Sequence, residues 1–125
     1  MRQIADAVQK ILDGVLVPLE ICSYLNRRGK ASGYEYVIYR VSPLVRTGYA
    51  GNAAVWGRVS VDVSYYADGG KYNEQRMNVI IGAMERVGWR LFSGPFPLWF
   101  DDETEGVTME FIHEGVIQAG TYLKQ

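Results

Sequence analysis

Seven consecutive residues, Val59-Ser60-Val61-Asp62-Val63-Ser64-Tyr65, alternate apolar and polar side chains almost without a break. Successive side chains of an extended strand point to opposite faces, so this pattern specifies a strand with one buried and one solvated side. The valines define the inward face, and Ser60, Asp62 and Ser64 the outward one. Such a strand needs neighbours and a cover for its valines, so the chain must build a sheet with something packed against one side. Trp56 and Arg58 extend the outward face, which is therefore expected to carry more than solvent-facing polar groups.

A second strand is expected in Tyr34-Glu35-Tyr36-Val37-Ile38-Tyr39-Arg40-Val41, where β-branched and aromatic residues dominate. Tyr34, Tyr36 and Ile38 share one face; Val37, Tyr39 and Val41 share the other. Neither is plainly polar, which predicts a central strand or one covered on both sides. Ser42-Pro43 ends it. Residues 46–52, with two glycines, read as a hairpin loop.

Two segments carry helical periodicity instead. Ile4, Val8, Ile11, Leu12 and Val15 recur at three- and four-residue spacing with polar residues between, and Gly14 and Pro18 mark the end. Met77, Ile80, Ile81, Met84 and Val87 mark a second helix over residues 72–87. Asn73 is placed to cap its start and Gly88 to end it in a left-handed conformation. A short strand follows at residues 89–92. Pro95 and Pro97 are expected to break it, with pairing resuming near Leu98-Trp99-Phe100. Residues 101–106 read as an acidic turn. Val107, Met109 and Phe111 alternate in a last strand, and the glycine-containing residues beyond it read as a tail.

The order helix, strand, strand, helix, strand, strand predicts an α+β fold. Its sheet is expected to have four mostly antiparallel strands, with both helices on one face. The 125 residues fit one domain, 1–125. With 48% apolar residues and 22% charged ones, the chain can build a core without metal or disulfide. The single cysteine, Cys22, leaves no intrachain disulfide. The first six residues read as a helix start rather than a signal peptide. No stretch reaches the ~18 apolar residues that span a bilayer, so an intracellular or particle-associated protein is expected. The formal net charge of -1 gives no overall attraction to nucleic acid or an anionic membrane.

Chemistry-bearing patterns are sparse. There is no G-x-S-x-G, no zinc-ligand spacing and no phosphate loop, because Asp68-Gly69-Gly70-Lys71 lacks the required Lys-Ser or Lys-Thr pair. His113 is the sole histidine and falls on the face of Val107, Met109 and Phe111. Cys22 is expected to be a packed, inert thiol; only a dyad with His113 would make it a nucleophile. Asp101, Asp102, Glu103 and Glu105 form the densest acidic run. It lacks the glycine-punctuated spacing of a calcium loop and reads as a solvated turn. No catalytic residue, cofactor site or metal site is expected. The acidic run has a candidate complement on a second copy in the basic loop of Arg27, Arg28 and Lys30. That loop has no interleaved aromatic and is a weak nucleic-acid signal.

Nine tyrosines bring the aromatic share to 13%. A tyrosine pairs a large apolar ring with a polar tip, which suits surfaces buried only when a partner arrives. The candidate interface therefore adds Tyr34, Tyr36, Tyr39 and Tyr49 to the charged runs, together with Trp56, Arg58, Phe96 and Trp99. A tyrosine-rich sheet face with no partner is the plainer alternative.

Taken together, the first helix at residues 4–15, the strands at 34–41 and 59–65, the helix at 77–87 with Gly88-Trp89, and the strand at 107–112 resemble the tail terminator (tail completion) proteins of tailed bacteriophages and defective prophages. The likeness is one of layout and strand texture over most of the chain, with residues 16–24 less clearly matched. It implies a homo-oligomeric ring, commonly a hexamer, that sits on the finished tail tube. The ring stops polymerisation and presents a surface to head–tail connector proteins, without catalysis. It also implies a place in the virion tail, reached through the bacterial cytoplasm during assembly. A connector or other minor virion protein is the nearest rival. A small cellular binding or regulatory domain is the rival from another class, and an enzyme built on Cys22 and His113, or on a metal at the acidic run, is the third.

Overall fold

A computed structural model describes residues 2–25, 35–43, 45–51, 53–70, 72–99, 104–118 and 122–123. Helix α1 spans Arg2–Leu16. Ile4, Val8, Leu12 and Leu16 form its buried stripe, one residue per turn. Gly14 lies inside the helix, which runs on until Pro18 enters a 3-10 turn at Val17–Leu19. Glu20, at φ +58°, reverses the chain. Its N–H bonds Val17 O at 3.0 Å and that of Ile21 bonds Leu16 O at 3.1 Å, closing the helix end.

The chain then forms β1 (Cys22–Leu25), β2 (Glu35–Val41), β3 (Val45–Ala50) and β4 (Ala53–Asp68). Helix α2 follows at Glu74–Arg86, then β5 (Arg90–Trp99), β6 (Thr104–Gln118) and the short β7 (Tyr122–Leu123). The α+β class and the mostly antiparallel sheet are as expected. The strand count is not: six strands form the sheet instead of four. Its order is β1-β2-β4-β6-β5, with β3 beside β4 beyond the end of β2. Only β1 runs parallel to its neighbour, and β7 pairs with the far end of β6.

The two added strands are β1, placed by its parallel pairing with β2, and β3; β3, β5 and β6 each depart from expectation for a physical cause. The segment expected as a hairpin loop is mostly strand β3, and the turn lies at Gly51, φ +62°. Gly48 marks a bulge in that strand: a Cβ there would stand 2.9 Å from Trp56 Cβ. Pro95 and Pro97 do not end β5. That strand lies at the sheet edge, where a missing N–H costs little, and register shifts between Leu91 and Phe96 absorb the irregularity. The expected tail instead continues as β6 to Gln118, and Thr104 to Gly106, expected as turn, open that strand. Asp101, Asp102 and Glu103 lie outside the described residues.

Helix α2 ends as its sequence dictates. Asn73 accepts a hydrogen bond from the Gln75 N–H at 2.9 Å. At the other end Gly88 takes φ +98°, with Gly88 N–H on Glu85 O and Trp89 N–H on Met84 O, both at 3.1 Å. Asn73→Ala removes an acceptor from an otherwise open helix start and is expected to lower stability by about 1 kcal/mol. A urea unfolding curve reads this as a lower midpoint at unchanged slope.

Both helices pack on one side of the sheet. Val37, Tyr39, Val59, Val61, Val63, Tyr65, Val107, Met109 and Phe111 join the helix stripes in one core cluster, with Ile80 and Met84 from α2. The valines of the alternating strand point inward, as its pattern requires: Val59 is 1% exposed, and Val61 and Val63 are fully buried.

Candidate assembly surface

The face of the sheet opposite the helices is built from the other set of alternating residues. Pairing across β2, β4 and β6 aligns Tyr36 with Tyr66 and Gly106, Ile38 with Ser64 and Thr108, and Arg40 with Asp62 and Glu110. Further along, Ser60 lies beside Ile112 and Arg58 beside Glu114. The Tyr36 and Tyr66 rings meet in a tilted pair, with centroids 5.2 Å apart. Gly106 makes room for the Tyr66 ring: a Cβ there would be 2.5 Å from Tyr66 Cδ1. Ser64 Oγ donates to Thr108 Oγ1 at 3.0 Å. Arg40 bridges to Asp62 at 2.8 Å and Arg90 to Glu114 at 3.4 Å.

Large apolar side chains stand out of this surface and its margins. Trp56 is 42% exposed, Val45 50%, Phe96 55% and Phe92 57%. Between them lies a groove of about 260 Å³, with Ile112 in its floor, Phe92 and Val45 on its walls, and Arg58 and Glu110 at its rim. Ile112 is only 3% exposed, yet it is outside the core cluster beneath the helices.

The candidate interface residues separate into four groups. Trp56, Phe96, Arg58 and Tyr36 sit on the open face or its margins, the first two exposed and the others half-buried. Tyr39 does not: it points into the core at 1% exposure, and its hydroxyl donates to Gln9 Oε1 of α1. Alternation puts it with Val37, and a phenol can be buried whole when a helix glutamine meets its tip. Tyr49 lies on β3 and Trp99 closes β5. Arg27, Arg28, Lys30 and Tyr34 lie outside the described residues, as do the three acidic residues before β6. Sequence reasoning misses Phe92, Val45, Glu110 and Ile112. Phe92 and Val45 are obscured because β5 and β3 read as interrupted or absent. Glu110 and Ile112 alternate with Phe111, and that signal is readable.

Cys22 is exposed on edge strand β1, not packed as expected. The sequence around it is apolar, but Ile21 alone turns inward. The register places Cys22 level with Gly106. His113 lies seven residues further along β6 and three strand spacings across, so the two are separated by more than about 20 Å. They do not form a dyad in this fold. Among the described residues, no three His, Cys, Asp or Glu side chains cluster to hold a metal ion. Among the described residues, no helix is long and apolar enough to cross a membrane.

His113 packs against Trp89, with ring centroids 5.4 Å apart, and under Gly88 at the end of α2. Desolvation lowers its pKa below the ordinary 6.5. The unfolded chain then binds the proton more readily than the folded one. Stability from the neutral ring is present above pH 6.5 and is lost as the pH falls below it. His113→Phe is expected to flatten the decline in melting temperature between pH 7 and pH 5, which thermal melts across that range check.

Compared with known proteins, the chain matches no family model and no curated protein sequence.

Proposed function

We propose that this chain is a structural assembly protein of the tail terminator kind. In this reading, copies close head to tail into a ring, six by the family resemblance. The ring caps the finished tail tube, stops its polymerisation and offers a surface for head joining. The observation that carries the reading is the one-sided cover of the sheet. Both helices pack on one face, while Trp56, Phe92 and Phe96 stand 42–57% exposed on the other side and its margins. Exposed aromatics in such number suit a surface that is completed by a partner. The order of the helices, each preceding a group of strands, also agrees with the resemblance.

A head-to-tail ring uses two different patches on each subunit and closes by rotation. The open sheet face supplies one patch, and the basic stretch with Arg27, Arg28 and Lys30 is the candidate for another. Native mass measured over a wide concentration range tests ring formation. The expected result is a closed species at a fixed multiple of the 14.1 kDa chain. A continuous ladder of masses without closure would count against a ring.

A further inference from the structure

Four charged side chains of the open face satisfy one another. Arg40 pairs with Asp62 at 2.8 Å, and Arg90 with Glu114 at 3.4 Å. Arg58 and Glu110 are left over. Among the described residues neither side chain makes an ion pair or a hydrogen bond. Glu110 lies directly beside Asp62, and like charges set opposite each other across two strands are destabilising until a cation approaches. Arg58 lies beside Glu114, whose carboxylate is held by Arg90. The two leftover groups are of opposite sign, and both line the same groove. Between them the groove is mainly apolar. Ile112 lies in its floor beside Ser60, and the exposed Phe92 and Val45 form its walls.

A carboxylate at one side, a guanidinium at the other and apolar surface between them are the complement of a zwitterion with an apolar body. Its ammonium would meet Glu110. Its carboxylate would meet Arg58, whose guanidinium can hold both oxygens at once. The span sets the size of the ligand. Arg58 is level with Glu114, and Glu110 with Asp62, so the two rows stand four residues apart, or ~13 Å along the strands. A hydrogen bond of ~3 Å at each end leaves ~7 Å for the ligand, which is two residues of extended chain at ~3.5 Å each. We propose that this groove binds an apolar dipeptide with free termini. The N-terminus lies on Glu110 and the C-terminus on Arg58, with the side chains against Ile112, Phe92 and Val45. A free amino acid is too short to engage both charges, and an internal segment of a longer chain has no termini to offer. The site rests on the leftover charges and not on ring formation.

Leucyl-leucine is the probe. Titrated into 15N-labelled protein, it should shift the amide resonances of Val45, Phe92 and Ile112 to saturation. Acetylating its amine should raise the dissociation constant about tenfold, the loss of one hydrogen bond between charged groups, and amidating its carboxylate should do the same. Glu110→Gln should weaken binding as much as acetylation does and leave acetylation without further effect. Arg58→Gln should do the same for amidation. Both positions are partly exposed, and unchanged resonances away from the groove check that the variants fold. No shift at any peptide concentration would overturn the proposal. So would binding that ignores both blocking groups, or free leucine binding as tightly as the dipeptide. Blocking effects that persist undiminished in the two variants would overturn it too. None of these results bears on ring formation, which native mass tests separately.

Discussion

Truncating Phe111 to alanine is expected to cost about 3–5 kcal/mol, enough to leave the chain largely unfolded at physiological temperature if its total stability is typical. Phe111 is fully buried. It sits on β6 between Val61 of β4 and Leu91 of β5, on the face that both helices cover. Its loss removes the ring's transfer free energy and leaves a cavity at the centre of the sheet, where strands on both sides restrict collapse. The informative control is Phe92→Ala. That ring is 57% exposed on an edge strand, and its removal should change stability by no more than about 0.5 kcal/mol. Denaturant midpoints for the two variants read the difference directly. Similar losses at both positions would mean that the covered and open faces have been assigned wrongly.

Glu35→Ala is expected to lower stability by about 2–3 kcal/mol, the cost of stranding a buried hydroxyl and breaking a charge-assisted bond. One carboxylate oxygen of Glu35, at the start of β2, accepts from the Tyr65 hydroxyl at 2.6 Å and from Arg76 Nε at 3.2 Å. The carboxylate thus ties β2 to β4 and to helix α2. Tyr65 is fully buried, whereas the Glu35 and Arg76 side chains are 19% and 26% exposed, so the network is shielded from solvent. Burial, and then the hydrogen bond and charge of Glu35, hold the Tyr65 phenol well above its ordinary value of 10.0. Because the folded pKa is raised, the unfolded chain loses this proton first. The stability contributed by the neutral phenol is whole below pH 10 and is lost as the pH climbs above it. Urea midpoints between pH 8 and pH 11 should therefore fall at the alkaline end. They should fall less steeply in Glu35→Ala, where two of the three upward influences are gone.

The elements with strong periodicity are legible in the residues. Val59 to Tyr65 predicts its own buried face, Asn73 and Gly88 mark the ends of α2, and the four-residue stripe of α1 defines its core side. What escapes are elements whose sequence signals conflict with their position. β1 is four residues long and gains its place only by pairing in parallel with β2, a long-range contact with no local signature. β3 contains Gly48, which reads as loop but serves to let Trp56 cross closely. β5 contains two prolines, which exclude a central strand but not an edge. Aromatic content indicates an open surface without locating it. Residue type draws Tyr39 to that surface, although alternation with Val37 puts it in the core. Phe92 escapes because the prolines make its strand read as short.

The proposal that copies of this chain close into a ring and terminate a tail tube is tested most directly by tube length in particles assembled without the chain. On the proposed reading the coding sequence belongs to a phage or prophage; it is deleted there, and the lysate is examined by electron microscopy. Tubes that overrun the normal length and lack heads are predicted. Their length should return to normal when the intact chain is supplied from a plasmid. Tubes of normal length without heads would contradict the terminator role and identify a connector instead, and intact particles would contradict any place for this chain in the tail.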